Sequence, residues 1–139
     1  MLILDASLTL AWFFADEATE ATDAVLDQVT AEGAVVPPLW RFEIANGLAM
    51  AVRRQRIDAA FRDRALGVLA ALPITPDPES DRHAWSSTLR LAERHGLTLY
   101  DAAYLELALR HKRPLASCDA DLRAAASGLG IPLLGMAGS

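Results

Sequence analysis

The stretch MLILDASLTLAWFFADE, residues 1–17, decides how the rest of the chain is read. Met1–Leu4 is apolar and too short for a helix, so it predicts a buried strand. Asp5 ends that run, and the segment after it predicts a helix. An acid closing a buried strand is costly unless it is paired or bound to a cation. The carboxyl ends of parallel strands are also where α/β folds bind ligands. Aspartate at this place could instead cap the following helix, as could Ser7. With no basic leader and with Asp5 so early, the segment does not fit a signal peptide or a spanning helix.

Working outward, the same alternation continues. Ala34–Val36 reads as a second strand, stopped by Pro37 and Pro38, which cannot serve a central ladder. Leu115–Ser117 and Ile131–Leu134 read as later strands. A weaker one at Leu72–Thr75 contains Pro73 and belongs at an edge. Between them lie amphipathic helices. One spans 20–31, with Ala21, Ala24, Val25 and Val29 inward, and another spans 39–53, with Phe42, Ala45, Leu48, Ala49 and Val52 on one side. Asp58 caps a third, with Phe61, Ala65, Val68 and Leu69 inward. Others span 80–94, ending before Gly96, then 101–111, and 120–127 closed by Gly128 or Gly130. Short buried strands alternating with helices predict an α/β domain with a mostly parallel sheet.

The 139 residues suit a single domain, 1–139, and 53% hydrophobic composition excludes a disordered chain. Cys118 is the only cysteine, so an internal disulfide is excluded and the cytoplasm is the expected compartment. The net charge of −5 argues against a generally basic nucleic-acid-binding surface. Its meaning changes if acids converge: without Asp5, Glu43, Asp101, Asp119 and Asp121, the chain carries 13 acidic and 13 basic residues.

Those acids stand at telling places. Glu43 lies on a helix suited to burial. Asn46, three residues on, faces broadly the same way, and Gly47 permits close helix approach. Asp101 opens a helix, where capping and ligand binding are both open to it. Asp119 and Asp121 follow the Leu115–Ser117 strand, so one can cap a helix while the other reaches a metal. Ser117 shares the parity of Asp119, whereas Cys118 faces away as a small hydrophobe. Tyr104 is expected to pack inward with its hydroxyl free to reach a polar neighbour, while Tyr100 could be structural or border a substrate. If the carboxylates meet, they raise one another's pKa. A divalent cation relieves that repulsion, and hard oxygen ligands select Mg²⁺ or Mn²⁺. His83, His95 and His111 are scattered and read as surface or packing residues.

Four segments together carry a family resemblance: LILDAS at 2–7, PLWRFEIANGL at 38–48, LTLYDAAYLELA at 97–108 and PLASCDADLRAAA at 114–126. In order, spacing and total length the chain resembles PIN-domain proteins, in particular VapC-type toxins of bacterial toxin–antitoxin pairs. The resemblance implies a three-layer α/β/α sandwich and an endoribonuclease that needs one or two Mg²⁺ or Mn²⁺ ions. It implies Asp5, Glu43, Asp101 and Asp119 as the acidic quartet, with Asp121 a further acid that is variably used. Ser7 and Ser117 match hydroxyl-bearing positions beside it, and Asn46 supports the site. It also implies tRNA or rRNA as substrate, a homodimer, and a cognate VapB-type antitoxin covering the active groove. Arg53, Arg54, Arg56 and Lys112 are candidates for phosphate contact. Trp12, Phe13 and Phe14 could serve pairing or the core. The competing readings are a phosphotransfer domain using Asp5, a non-catalytic interaction module, and a DNA-cutting relative. The first lacks an Asp-x-Asp motif and an evident phosphate-binding lysine.

Overall fold

The computed structural model describes residues 1–136, so the last three positions of the expected 1–139 unit lie outside the described residues. Five short strands form one sheet: β1 (Leu2–Leu4), β2 (Ala34–Val36), β3 (Ile74–Pro76), β4 (Leu115–Ala116) and β5 (Leu133–Leu134). Their order is β3-β2-β1-β4-β5 and every pairing is parallel. The helices are α1 (Ala6–Ala11), α2 (Glu20–Glu32), α3 (Leu39–Arg53), α4 (Ala59–Ala71), α5 (Ser80–His83), α6 (Leu89–His95), α7 (Leu99–His111) and α8 (Ala120–Gly128). They flank the sheet in an α/β/α sandwich. No helix among the described residues is long and apolar enough to cross a membrane.

The fold is organised around β1. Leu2, Ile3 and Leu4 have no exposed surface, which is why this strand is continuously apolar. The chain leaves β1 toward β2 on one side and returns to β4 on the other, so β1 and β4 flank the point where strand order reverses. Crevices for ligands open there, at the carboxyl ends of the strands. The strand around Pro73 is at the edge, where a missing amide costs no ladder bond, and runs Ile74–Pro76.

Several expected helix faces are corrected. On α3 the buried stripe is Trp40, Ile44, Leu48 and Ala51, while Phe42 is 80% exposed and Ala45 is exposed. The register is set by Trp40, whose indole fills the core and donates to Thr9 Oγ1 at 3.2 Å. On α2 the buried residues are Thr22, Val25 and Val29, and Ala24 faces solvent. On α4 Ala65 and Leu69 are buried but Val68 is exposed. Asp58 caps that helix as expected, accepting from the Phe61 amide at 2.7 Å. The expected helix over 80–94 is broken into α5, a π-turn at Ala84–Thr88 and α6, which ends at the left-handed Gly96. Trp12 donates to the Thr22 carbonyl and Phe14 is buried, so these two aromatics join the monomer core; Phe13 is half-buried against it.

Candidate active site

Asp5 leaves the carboxyl end of β1, anchored by its amide bond to the Ala116 carbonyl at 2.9 Å. It occupies the N-cap position of α1 without making a side-chain cap. Its Oδ2 instead accepts from Ser7 Oγ at 2.6 Å and Ser117 Oγ at 2.7 Å. Ser117 in turn accepts from the Asp119 amide at 3.0 Å, and Ser7 from the Cys118 amide at 3.1 Å. These bonds tie the β1 and β4 exits into one unit. Arg123 holds its outer side, donating to the carbonyls of Ser117 and Leu134. With Asp5 only 4% exposed and gripped by two hydroxyls, nothing about it resembles an accessible nucleophile for phosphotransfer.

Asp101 lies in the first turn of α7, but Thr98 caps that helix by accepting from the Asp101 amide at 3.1 Å. The capping explanation of Asp101 therefore falls away. Asp119 does cap α8, accepting from the Leu122 amide at 2.8 Å. Glu43 projects from α3, and its Oε1 accepts from the hydroxyl of fully buried Tyr104 on α7 at 2.5 Å. A Cβ built on Gly47 would fall 2.5 Å from Leu10 Cδ1, so the bare glycine lets α1 pack close to α3.

One depression of about 250 Å³ collects Asp5, Ser7, Glu43, Asn46, Asp101 and Asp119. Residues separated by more than a hundred positions are thus brought together. Asp121, exposed in the first turn of α8, does not line this depression. Arg54 and Arg56 line the adjoining one, whereas Arg53 reaches back to Met50 Sδ at 3.9 Å. Lys112 sits at the opposite end of α7 from Asp101, roughly 16 Å along a helix of 1.5 Å rise per residue.

The electrostatics match a pocket of crowded acids. Burial pushes the Asp5 carboxyl up, against the lowering effect of its serine bonds. Burial also pushes Glu43 up to about 7, with Asp5 and Asp101 adding to the rise against the Tyr104 bond. Asp101 is raised by burial, then by Asp119 and Asp5. The donor set is oxygen-only and over-charged, which suits a hard divalent cation. Among the described residues, however, no group of three or more His, Cys, Asp or Glu side chains is placed to hold a metal ion directly. The donor chemistry fits such an ion, although no complete shell of side chains is formed.

A second polar cluster escaped the sequence reading. Asp77, after β3, and Glu106, inside α7, are each 4% exposed. Arg110 bridges them, with Nη2 2.7 Å from Asp77 and Nε 2.8 Å from Glu106. His111 stands 3.2 Å from Asp77, and His83 3.9 Å from Glu106. The four-residue spacing of Glu106 and Arg110 was the available signal. The long-range partner Asp77 had none.

A family model described as PIN domain matches residues 2–128. Among solved structures, the chain is similar to PAE2754 from Pyrobaculum aerophilum, with 29% identity over 90% of this chain and 87% of that one, at a TM-score of 0.65. It is also similar to FitAcB from Neisseria gonorrhoeae, with 18% identity over 96% of both chains and the same TM-score of 0.65; at that identity the likeness concerns the fold alone. No curated protein matches the chain.

Proposed function

The chain belongs to the PIN-domain family, and from that premise we propose that it is a divalent-metal-dependent endoribonuclease, the toxin of a VapC-type pair. The observation that carries the proposal is the single depression gathering Asp5, Glu43, Asp101 and Asp119, three of them with carboxyls raised by burial and mutual charge. Asp5, Asp101 and Asp119 would hold Mg²⁺ or Mn²⁺, with Glu43 beside them. Mg²⁺ often takes only one or two carboxylates and keeps several waters, so an incomplete shell of side chains suits it. Such an ion supplies positive charge that acidifies water and offsets charge developing on phosphate.

Ser7 and Ser117 fix the Asp5 carboxylate so that it need not reorganise during reaction. Tyr104 holds Glu43 Oε1, leaving Oε2 to exchange protons. Without a cation the Glu43 carboxyl is held at about 7; a bound ion would offset the charges of Asp5 and Asp101 and favour the carboxylate, the form that accepts a proton from attacking water. The water oxygen bonds to phosphorus as its proton passes to Glu43, the P–O3′ bond breaks, and the departing O3′ takes a proton from solvent, leaving 5′-phosphate and 3′-hydroxyl ends. Asn46 lies at the edge of the depression, where its amide can contact the substrate. Asp121 is a weaker candidate, reaching the site only through its charge on Asp101.

The substrate we propose is tRNA or rRNA. A VapB-type antitoxin would cover the groove, a homodimer would be the working state, and the cytoplasm the compartment. The test is incubation of the purified chain with cellular RNA, with Mg²⁺ or Mn²⁺ or with chelator, and mapping of the ends. Metal-dependent cuts bearing 5′-phosphate, absent from a folded Asp101→Asn variant, are expected. Full activity in that variant would remove Asp101 from the reaction. The incomplete metal shell favours one competing reading, a non-catalytic interaction module, which predicts no cleavage of any RNA under any metal.

A further inference from the structure

The carboxylate depression does not end at the acids. Ser7, Leu10, Gly47 and Asp119 also wall a second depression of about 430 Å³, which runs along the C-terminal half of α3 to Arg54 and Arg56. Phe14 and Arg56 are in turn shared with a third, of about 570 Å³, bounded by Phe13, Phe61 and Arg64. The three depressions adjoin along these shared walls as one trough-like row, from the acids past the stacked Arg56 and Phe14 to a cleft of aromatic rings and arginines.

The charges along it divide into spent and available. Arg56 is spent: its Nη2 bonds Asp16 at 3.0 Å and Glu17 at 3.1 Å while its guanidinium lies 4.2 Å from the Phe14 ring centroid. It thereby occupies the two acids that would otherwise repel a polyanion from the trough. Asp58 is engaged as the cap of α4. Arg54 lines the middle section, is exposed, and has no side-chain hydrogen bond or ion pair among the described residues. Arg64 is likewise exposed, and stands 5.8 Å from the centroid of half-buried Phe61. The trough therefore ends in a half-buried ring with the Arg64 guanidinium over it, and Arg54, which makes no ion pair among the described residues, lies between that ring and the acids. Phosphates recognise the arginines, and the π-face of an unpaired base recognises the ring. A double helix could not offer its bases to such a cleft.

Resting on the nuclease reading above, we propose that this trough is the track for a single-stranded stretch of RNA on one side of the cut. Arg54 takes a backbone phosphate, and the Phe13–Phe61–Arg64 cleft takes an unpaired base. This assigns Arg54 and Arg64 to substrate binding and makes Arg56 a positioning residue that holds Asp16 and Glu17 and offsets half of their charge.

The test is cleavage of an oligouridylate of about ten nucleotides with Mg²⁺, with binding to the folded Asp101→Asn protein measured in parallel. Phe61→Leu, which keeps apolar volume but loses the ring, should raise KM and Kd roughly 5- to 100-fold, the range of one base stack, while kcat holds within about twofold. Arg54→Ala and Arg64→Ala, both exposed and safe for folding, should weaken binding and each reduce its salt dependence by about one ion. An abasic residue at one position should weaken the wild type but not Phe61→Leu. Arg82→Ala, an exposed arginine outside the trough, should change nothing. Normal KM and Kd in the Phe61 and Arg54 variants, with Asp101→Asn still inactive, would overturn the track and leave the nuclease standing. Normal RNA constants with weakened inhibition by the cognate antitoxin would assign the trough to the protein partner instead. A wild type that neither binds nor cuts RNA would overturn both.

Discussion

Replacing Glu43 with Gln should stabilise the metal-free protein at alkaline pH and little in acid. The carboxyl is held at about 7, against an ordinary 4.5, first by burial and then by Asp5 and Asp101. Below pH 4.5 it is protonated in both folded and unfolded chains and costs nothing. As the pH rises through about 7, the unfolded chain has already ionised it freely, so stability is lost. A shift of that size corresponds to roughly 3 kcal/mol, which partial solvent access reduces to roughly 2 kcal/mol. Gln is neutral and can still accept from the Tyr104 hydroxyl, so the variant escapes the loss without orphaning a buried donor. Urea denaturation with chelator at about pH 5 and about pH 8 measures it. The variant's advantage should widen by roughly 2 kcal/mol, or about 1 M in the urea midpoint. Mg²⁺ should shrink that advantage by stabilising the wild type. An equal effect at both pH values, or a less stable variant at pH 8, would refute the reasoning.

Further outcomes follow from other parts of the fold. Arg110→Met should cost about 3–5 kcal/mol, because it strands Asp77 and Glu106 without a counter-charge; a loss under about 1 kcal/mol in thermal unfolding would contradict this. Burial raises Asp77, but bonds from Arg110, Ser80 and His111 outweigh it and hold the carboxyl at about 2. The wild type should therefore keep this contribution above pH 3.8 and lose about 2 kcal/mol as the pH falls toward 2, a dependence that Arg110→Met should flatten. Gly33→Ala should destabilise by about 1–3 kcal/mol, since φ is +82° and a Cβ would lie 2.9 Å from the Pro73 carbonyl oxygen. An unchanged melting temperature would show that the α2–β2 junction relaxes freely.

The sequence was most legible where chemistry repeats locally. Strand runs of two to four apolar residues, the edge position forced by Pro73 and the cap at Asp58 were all readable, because each depends on immediate neighbours. The alternation of strand and helix was enough to imply an α/β domain with a mostly parallel sheet, and the family resemblance supplied the three-layer sandwich. The buried face of α3 was less legible: Phe42 and Trp40 are both plausible anchors by hydropathy, and only packing against Thr9 selects Trp40. The π-turn at Ala84–Thr88 leaves no mark in a helical period read over fifteen residues. At the candidate site, the five acids stood out, and the resemblance already set Asp121 apart from the other four; their surroundings needed three dimensions. Thr98 relieves Asp101 of capping, while Asp121 turns outward. Asp77 was invisible because Arg110 and His111, the basic side chains that hold it, lie more than thirty positions away.

The most direct test of the account is Mn²⁺ binding, followed by titration calorimetry on the wild type and on single amide variants of the pocket. Asp5→Asn, Glu43→Gln, Asp101→Asn and Asp119→Asn should each weaken binding by at least about tenfold, the last without losing its helix cap, since Asn caps as well as Asp. Asp121→Asn, outside the depression, should bind as the wild type does. Equal affinity across all five variants, or no binding by the wild type, would contradict the claim that these four carboxyls form one cation-dependent centre.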